Sequence, residues 1–130
     1  MAINTRDTAE IMDRFNDAFL RHQPKILDDL VGDGCVMEGI QPAPDGTRVA
    51  GREACLAFWH ALAGDPNNVF TVEDVTVSGE RAVIRWRYHY GERQENAVRG
   101  VNLMQVRDSR IVEALGYAKV PGEFAPLSGE

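Results

Sequence analysis

The stretch "CVMEGIQPAPDGTRVAG", Cys35 to Gly51, sets one acid, Glu38, among apolar residues. A carboxylate walled by side chains such as Val36, Met37 and Ile40 loses hydration and becomes a stronger base. That suits it to removing a proton from the carbon beside a carbonyl. In an extended strand Glu38 shares a face with Val36 and Ile40, so it is expected to point inward; an exposed glutamate at the rim of a sheet is the other reading. Farther along, "RGVNLMQVR" carries Asn102 on the face of Gly100 and Met104. A buried amide needs partners from protein, water or ligand. Asn102 is therefore either the donor to a ligand carbonyl or a structural residue bonded to a neighbouring strand.

The remaining polar groups suggest less chemistry. "RWRYHY" mixes bases with aromatics, as nucleic-acid stacking platforms do. Alternation separates them: Trp86, Tyr88 and Tyr90 fall with Ala82 and Ile84, while Arg85, Arg87 and His89 fall with Val83. Trp86 is expected in the core and Tyr88 in a pocket wall, with the bases outside, paired to acids such as Glu113 and Glu95. His60 lies one step off the apolar stripe of its helix, where it could flank a pocket mouth as a second acid or base or remain on the surface. His22, His60 and His89 share no helical face and no HxxxH spacing, so no metal site is expected. No GxGxxG, P-loop or GxSxG elbow is present, so neither a cofactor nor nucleophilic catalysis is expected.

Composition narrows the partners. The 130 residues, 44% hydrophobic and 26% charged, suit one globular domain, expected over residues 1–120, followed by an irregular arm at 121–130 ("PGEFAPLSGE"). A net charge of −6 disfavours nucleic acid and anionic membranes, which attract proteins through basic faces. A small hydrophobic molecule fits better. Cys35 and Cys55 lack CxxC or metal-finger spacing, and "MAINTRDTAE" has no apolar signal segment, so two reduced thiols in a cytoplasmic protein are expected. No apolar run approaches the roughly 18 residues that span a bilayer.

The elements that must position these groups follow from periodicity. Ile11, Phe15, Ala18 and Phe19 recur at helical spacing within Asp7–His22, with Asp7 and Thr8 as caps. "QPKILDDLVGDG" predicts a short second helix begun at Pro24 and stopped by glycine, and "GREACLAFWHALAG" a third, striped by Cys55, Phe58, Trp59 and Leu62. "CVMEGIQ" reads as a strand that turns through Asp45-Gly46. From Asn68 the period becomes two, and "VFTVEDVTVSG", "RAVIRWRYHYG", "AVRGVNLMQVR" and "RIVEALGYAKV" predict an antiparallel meander with short turns.

Both faces of the last strands are partly apolar. Helices cover one side of such a sheet, so the other is expected to bury against a second copy, giving a homodimer packed sheet to sheet. The face carrying Gly100, Ala114, Gly116 and Ala118 is unusually small, which leaves room for a pocket or for a tightly packed helix.

This order of elements resembles that of the nuclear transport factor 2-like superfamily. "IMDRFNDAFLRHQPKILDDLVGDGCVMEG" is similar to the opening of such domains, and "RGVNLMQVRDSRIVEALGYAK" to their last hairpin. The resemblance covers residues 8 to about 119 and implies an α+β conical fold, three N-terminal helices packed on a curved, mostly antiparallel sheet. Ketosteroid isomerases, polyketide cyclases and SnoaL-like proteins share it. Laid over ketosteroid isomerase, Glu38 takes the position of the general base, Asn102 that of the proton-donating aspartic acid, and Phe15 that of the oxyanion-hole tyrosine. Phe15 has nothing to donate. Limonene-type epoxide hydrolases match less well, because Lys119 follows "GYA" where an acid would be needed. The resemblance implies a catalytic pair, Glu38 and Asn102. The substrate-binding wall is then expected from Phe15 and Phe19 of the first helix and from Trp59 and His60 of the third, with Trp86, Tyr88, Met104 and Ala114 on the sheet. The implied activity is cofactor-free, isomerase- or cyclase-like proton transfer next to a carbonyl; a binding or accessory module with the same cavity is the alternative. One fold hosts many chemistries, so the site must decide.

Overall fold

In the computed structural model, residues 7–90 and 96–119 are described. Helix α1 spans Thr8–Leu20, and the Asp7 carboxylate accepts the Glu10 amide at 2.8 Å to cap its N-terminus. Ile11, Met12, Phe15, Ala18 and Phe19 form its buried stripe. The expected second helix is a single stretch of 3-10 helix, Pro24–Asp29, because Gly32 and Gly34 follow so closely that no longer helix can propagate. Strand β1, Val31–Glu38, turns back into the short β2, Arg48–Ala50. Gly46 has φ +76°, and a side chain there would collide with the Gly39 carbonyl, so the turn requires glycine. Helix α2, Arg52–Gly64, follows.

The meander is β3, Val69–Ser78, β4, Arg81–His89, β5, Ala97–Arg107, and β6, Arg110–Lys119. These four strands pair antiparallel in sequence order, and β1 adds to β6 in parallel, giving one mixed sheet ordered β2-β1-β6-β5-β4-β3. Register shifts interrupt β1, β3 and the β5–β6 hairpin, and such irregularities increase local twist.

The helices pack on one face. Ile11, Met12, Leu27 and Leu30 meet Ile84, Met104 and Ile111 there, all but fully buried. Each such side chain contributes about 1.5–3 kcal/mol on leaving water. The opposite face exposes Leu103 (39%) and Tyr117 (53%), which flank Leu115 and Val101. Arg87 lies there as alternation predicted, with Arg99 opposite it on β5, but both reach Glu73 of β3, at 3.4 and 3.1 Å, rather than Glu113. Glu95 and the arm at 121–130 lie outside the described residues. Among the described residues, no helix is long and apolar enough to cross a membrane.

Candidate functional site

Between α1, α2 and the inner face of the sheet lies a cavity of about 240 Å³. Its helix side is aromatic. Phe15 packs edge-on against Trp59 with ring centroids 5.2 Å apart, and Phe19 meets Phe70 of β3 at 5.4 Å. Phe70 stacks in turn on Tyr88, 4.7 Å apart and nearly parallel. Phe70 and Tyr88 are cross-strand partners, so register alone puts them side by side.

The sheet side is made of small residues. Ala114, Gly116 and Asn102 line the cavity from β6 and β5. Asn102 and Gly116 are paired in register, and a side chain at 116 would fall 3.3 Å from Ile40 Cγ2 and 3.4 Å from Asn102 Oδ1. Of the expected small-residue floor, Ala114 and Gly116 line the cavity and Gly100 and Ala118 do not. Gly100 opens no space, because the Trp86 indole fills it.

Asn102 is the polar group on this floor. The Trp86 indole N–H donates to its Oδ1 at 3.2 Å. An indole nitrogen can only donate, so the amide oxygen must be the atom facing it, and the amide NH2 is left to donate elsewhere. Tyr88, in the wall, gives its hydroxyl proton to Asn68 Oδ1 at 2.7 Å, while Asn68 donates to the Leu62 carbonyl. Burial, then the Asp65 and Tyr90 charges, push the Tyr88 phenol above its usual range, so it stays neutral.

Glu38 lines the edge of the cavity, but its face differs from the sequence expectation. In the β1–β6 pairing Met37 is opposite Ala114 and Glu38 is opposite Leu115, so Cys35 and Met37 face inward and Val36 and Glu38 outward. The carboxylate, 25% exposed, accepts from Arg48 of β2 at 3.3 Å. What lies against the floor is the Glu38 main-chain oxygen, beside Gly116.

Six of the eight expected wall residues line the cavity: Phe15, Phe19, Trp59, Trp86, Tyr88 and Ala114. Met104 does not. It is 1% exposed, one step farther along the inner face, where the core is already filled. His60 does not either, because its Nε2 is drawn 2.7 Å from Asp28 on the 3-10 helix, a partly exposed pair outside the cavity. Sequence reasoning missed Asn16, Leu20, Gln41, Phe58, Leu62 and Phe70. Phe70 was findable from its register with Tyr88, and Asn16 and Leu20 from their helical spacing around Phe15 and Phe19. Cys35 and Cys55 are free and buried, with Cys55 Sγ donating to the Cys35 carbonyl at 3.5 Å. Burial pushes both thiols up, which makes them poor nucleophiles. Among the described residues no group of three or more His, Cys, Asp or Glu could hold a metal ion.

The SnoaL-like domain family matches residues 12–114, most of the chain and nearly all of the cavity wall. The chain belongs to the SnoaL-like domain family. An NTF2-like protein of unknown function from Mesorhizobium loti is 50% identical over 92% of this chain and 97% of its own, with a TM-score of 0.82. Two more distant solved structures share the fold. One, provisionally named a ketosteroid isomerase, from Kribbella flavida, is 17% identical over 97% of this chain and 87% of its own, TM-score 0.74. The other, provisionally named a polyketide cyclase, from Sinorhizobium meliloti, is 22% identical over 82% and 93%, TM-score 0.67. No curated protein matches the chain. The expected NTF2-like architecture is thus the architecture found, and its activity must be argued from the cavity.

Proposed function

We propose that this SnoaL-like protein binds a small, uncharged carbonyl compound, whose oxygen accepts a hydrogen bond from the Asn102 amide. The observation that carries this reading is the Trp86 bond to Asn102 Oδ1, which leaves the amide NH2 as a donor beside a largely apolar cavity. No lysine, arginine or histidine lines the cavity among the described residues, so a carboxylate or phosphate ligand would enter without a counter-charge. At about 240 Å³ the cavity falls below the roughly 300–1,000 Å³ typical of pockets for drug-sized ligands. One or two fused rings match that volume.

A second reading, proton transfer beside the bound carbonyl, is favoured by Glu38 at the cavity edge and by the names of the distant relatives. It requires the carboxylate to leave Arg48 and turn inward. One experiment separates the two. 1-Indanone is titrated into the protein by NMR and then held with it in D2O while loss of the proton next to the carbonyl is followed. Binding with exchange that Glu38→Gln abolishes supports catalysis; binding with no exchange above the solvent rate leaves the carrier reading; no binding at millimolar indanone overturns both.

The outward apolar face carries a separate part of the proposal, a homodimer. The exposure of Leu103 and Tyr117 beside Val101 and Leu115 supports this part. Light scattering at micromolar concentration is expected to give twice the chain mass, and a monomer would overturn it.

A further inference from the structure

The side chains around Asn102 do more than satisfy it. Trp86 and Gly100 are register partners on β4 and β5. A Cβ at Gly100 would lie 2.6 and 2.7 Å from Cη2 and Cζ2 of the indole and would also collide with the Tyr117 carbonyl. Gly100 has no positive φ, so what glycine supplies here is space. The indole therefore lies down across β5, and from there its N–H reaches Asn102, two residues farther along the same face. Rotating the Asn102 amide by half a turn would set its NH2 against the indole N–H, two donors facing each other with no acceptor. Gly116, opposite Asn102, keeps that space open from the other side.

We propose that Gly100 and Trp86 are positioning residues that hold Asn102 with its amide NH2 toward the cavity, so that this pocket selects neutral ring compounds presenting a hydrogen-bond acceptor and rejects those presenting only a donor. This rests on the carbonyl-binding reading and adds a specificity rule to it. A donor-only ligand at the same depth meets the Asn102 NH2 donor to donor and can bond the amide only by sharing Oδ1 with the Trp86 N–H, so it gains less than an acceptor does. Ligand size and apolarity are equal in both cases, so shape cannot produce the preference.

The test uses three fused-ring probes of nearly equal size: 1-indanone, which only accepts, indole, whose N–H only donates, and indene, which does neither. Affinities are measured by NMR titration. The parent protein is expected to bind indanone about tenfold more tightly than indole, with indene between them or equal to indole. Trp86→Phe removes the donor that orients the amide, and Gly100→Ala displaces the same indole from below. In either variant the indanone-to-indole ratio is expected to fall to about twofold, because the freed amide can turn its oxygen to the indole N–H. Indene affinity reports whether the variant still has its cavity, which a loss of folding would abolish for all three probes. The parent ratio needs no variant at all. Equal binding of indanone and indole by the parent overturns the positioning role and leaves the pocket reading standing. Failure of all three probes to bind the parent overturns the pocket reading, and the positioning role with it. A ratio unchanged in a folded Trp86→Phe also overturns the positioning role.

Discussion

The inner face of β5 and β6 has two ends, one running into the register shift after Gln105 and one before it, that differ in what fills them. At one end Met104 and Ile111 interlock with Ile11, Met12, Leu27 and Leu30 and leave no space. At the other, Asn102 and Gly116 face Phe15, Phe19 and Trp59 across an open cavity. Met104 and Asn102 are two residues apart on one strand, and their partners Ala114 and Gly116 are two apart on the next. The hollow is therefore a matter of residue size and helix stand-off, and the filled end supplies the stability that allows the other to stay empty.

The comparison breaks most sharply at the filled end. Met104→Ala is expected to cost about 2–5 kcal/mol in chemical denaturation while leaving indanone affinity within a few fold, since Met104 touches core and not cavity. Gly116→Leu should do the reverse. It places a side chain where the nearest atoms are already 3.1–3.4 Å away, so indanone binding is lost at a stability cost of about 1–3 kcal/mol. Equal effects of both substitutions on binding would show that the two ends are not independent. Tyr88→Phe is smaller, about 1 kcal/mol at neutral pH for the bond to Asn68. Its pH signature is more telling. Because the folded phenol is held above its ordinary value of 10.0, its contribution is complete below that pH and is lost as pH rises through the raised value. Tyr88→Phe should therefore flatten part of the alkaline loss of stability. The least effect is expected outside, at Glu73. Slight desolvation pushes its carboxyl up, but Arg99 and then Arg87 outweigh this and hold it below the usual range. Its contribution is present at neutral pH and fades as pH falls through that lowered value, so Glu73→Gln changes acid stability slightly and ligand binding not at all.

The contrast also shows what could be read in advance. The meander was legible because β4 and β5 alternate cleanly, and Trp86, Tyr88 and Asn102 fell on the predicted side. The first helix was legible from Ile11, Phe15 and Phe19 at helical spacing. The inward face of β1 was not. Val36 and Ile40 are as apolar as Cys35 and Met37, so alternation alone cannot choose between the two sets, and the register shift between Val31 and Val36 breaks the count from the strand start. His60 escaped because its position depends on Asp28, whose neighbourhood arises only when the 3-10 helix packs beside α2. Met104 was placed on the correct face, but the sequence does not say where along a face the core stops.

The parallel pairing of β1 with β6 joins the first strand of the chain to the last described one, so Met37 and Ala114 become neighbours only after nearly everything between them has been made. Contacts of such long sequence separation form late, because closing the loop between them costs entropy that shorter hairpins do not. During synthesis on the ribosome, the β3–β5 hairpins can zip up while the floor of the cavity still lacks Ala114 and Gly116. A nascent chain stopped before Arg110 would carry every aromatic of the wall but, of the floor, only Asn102.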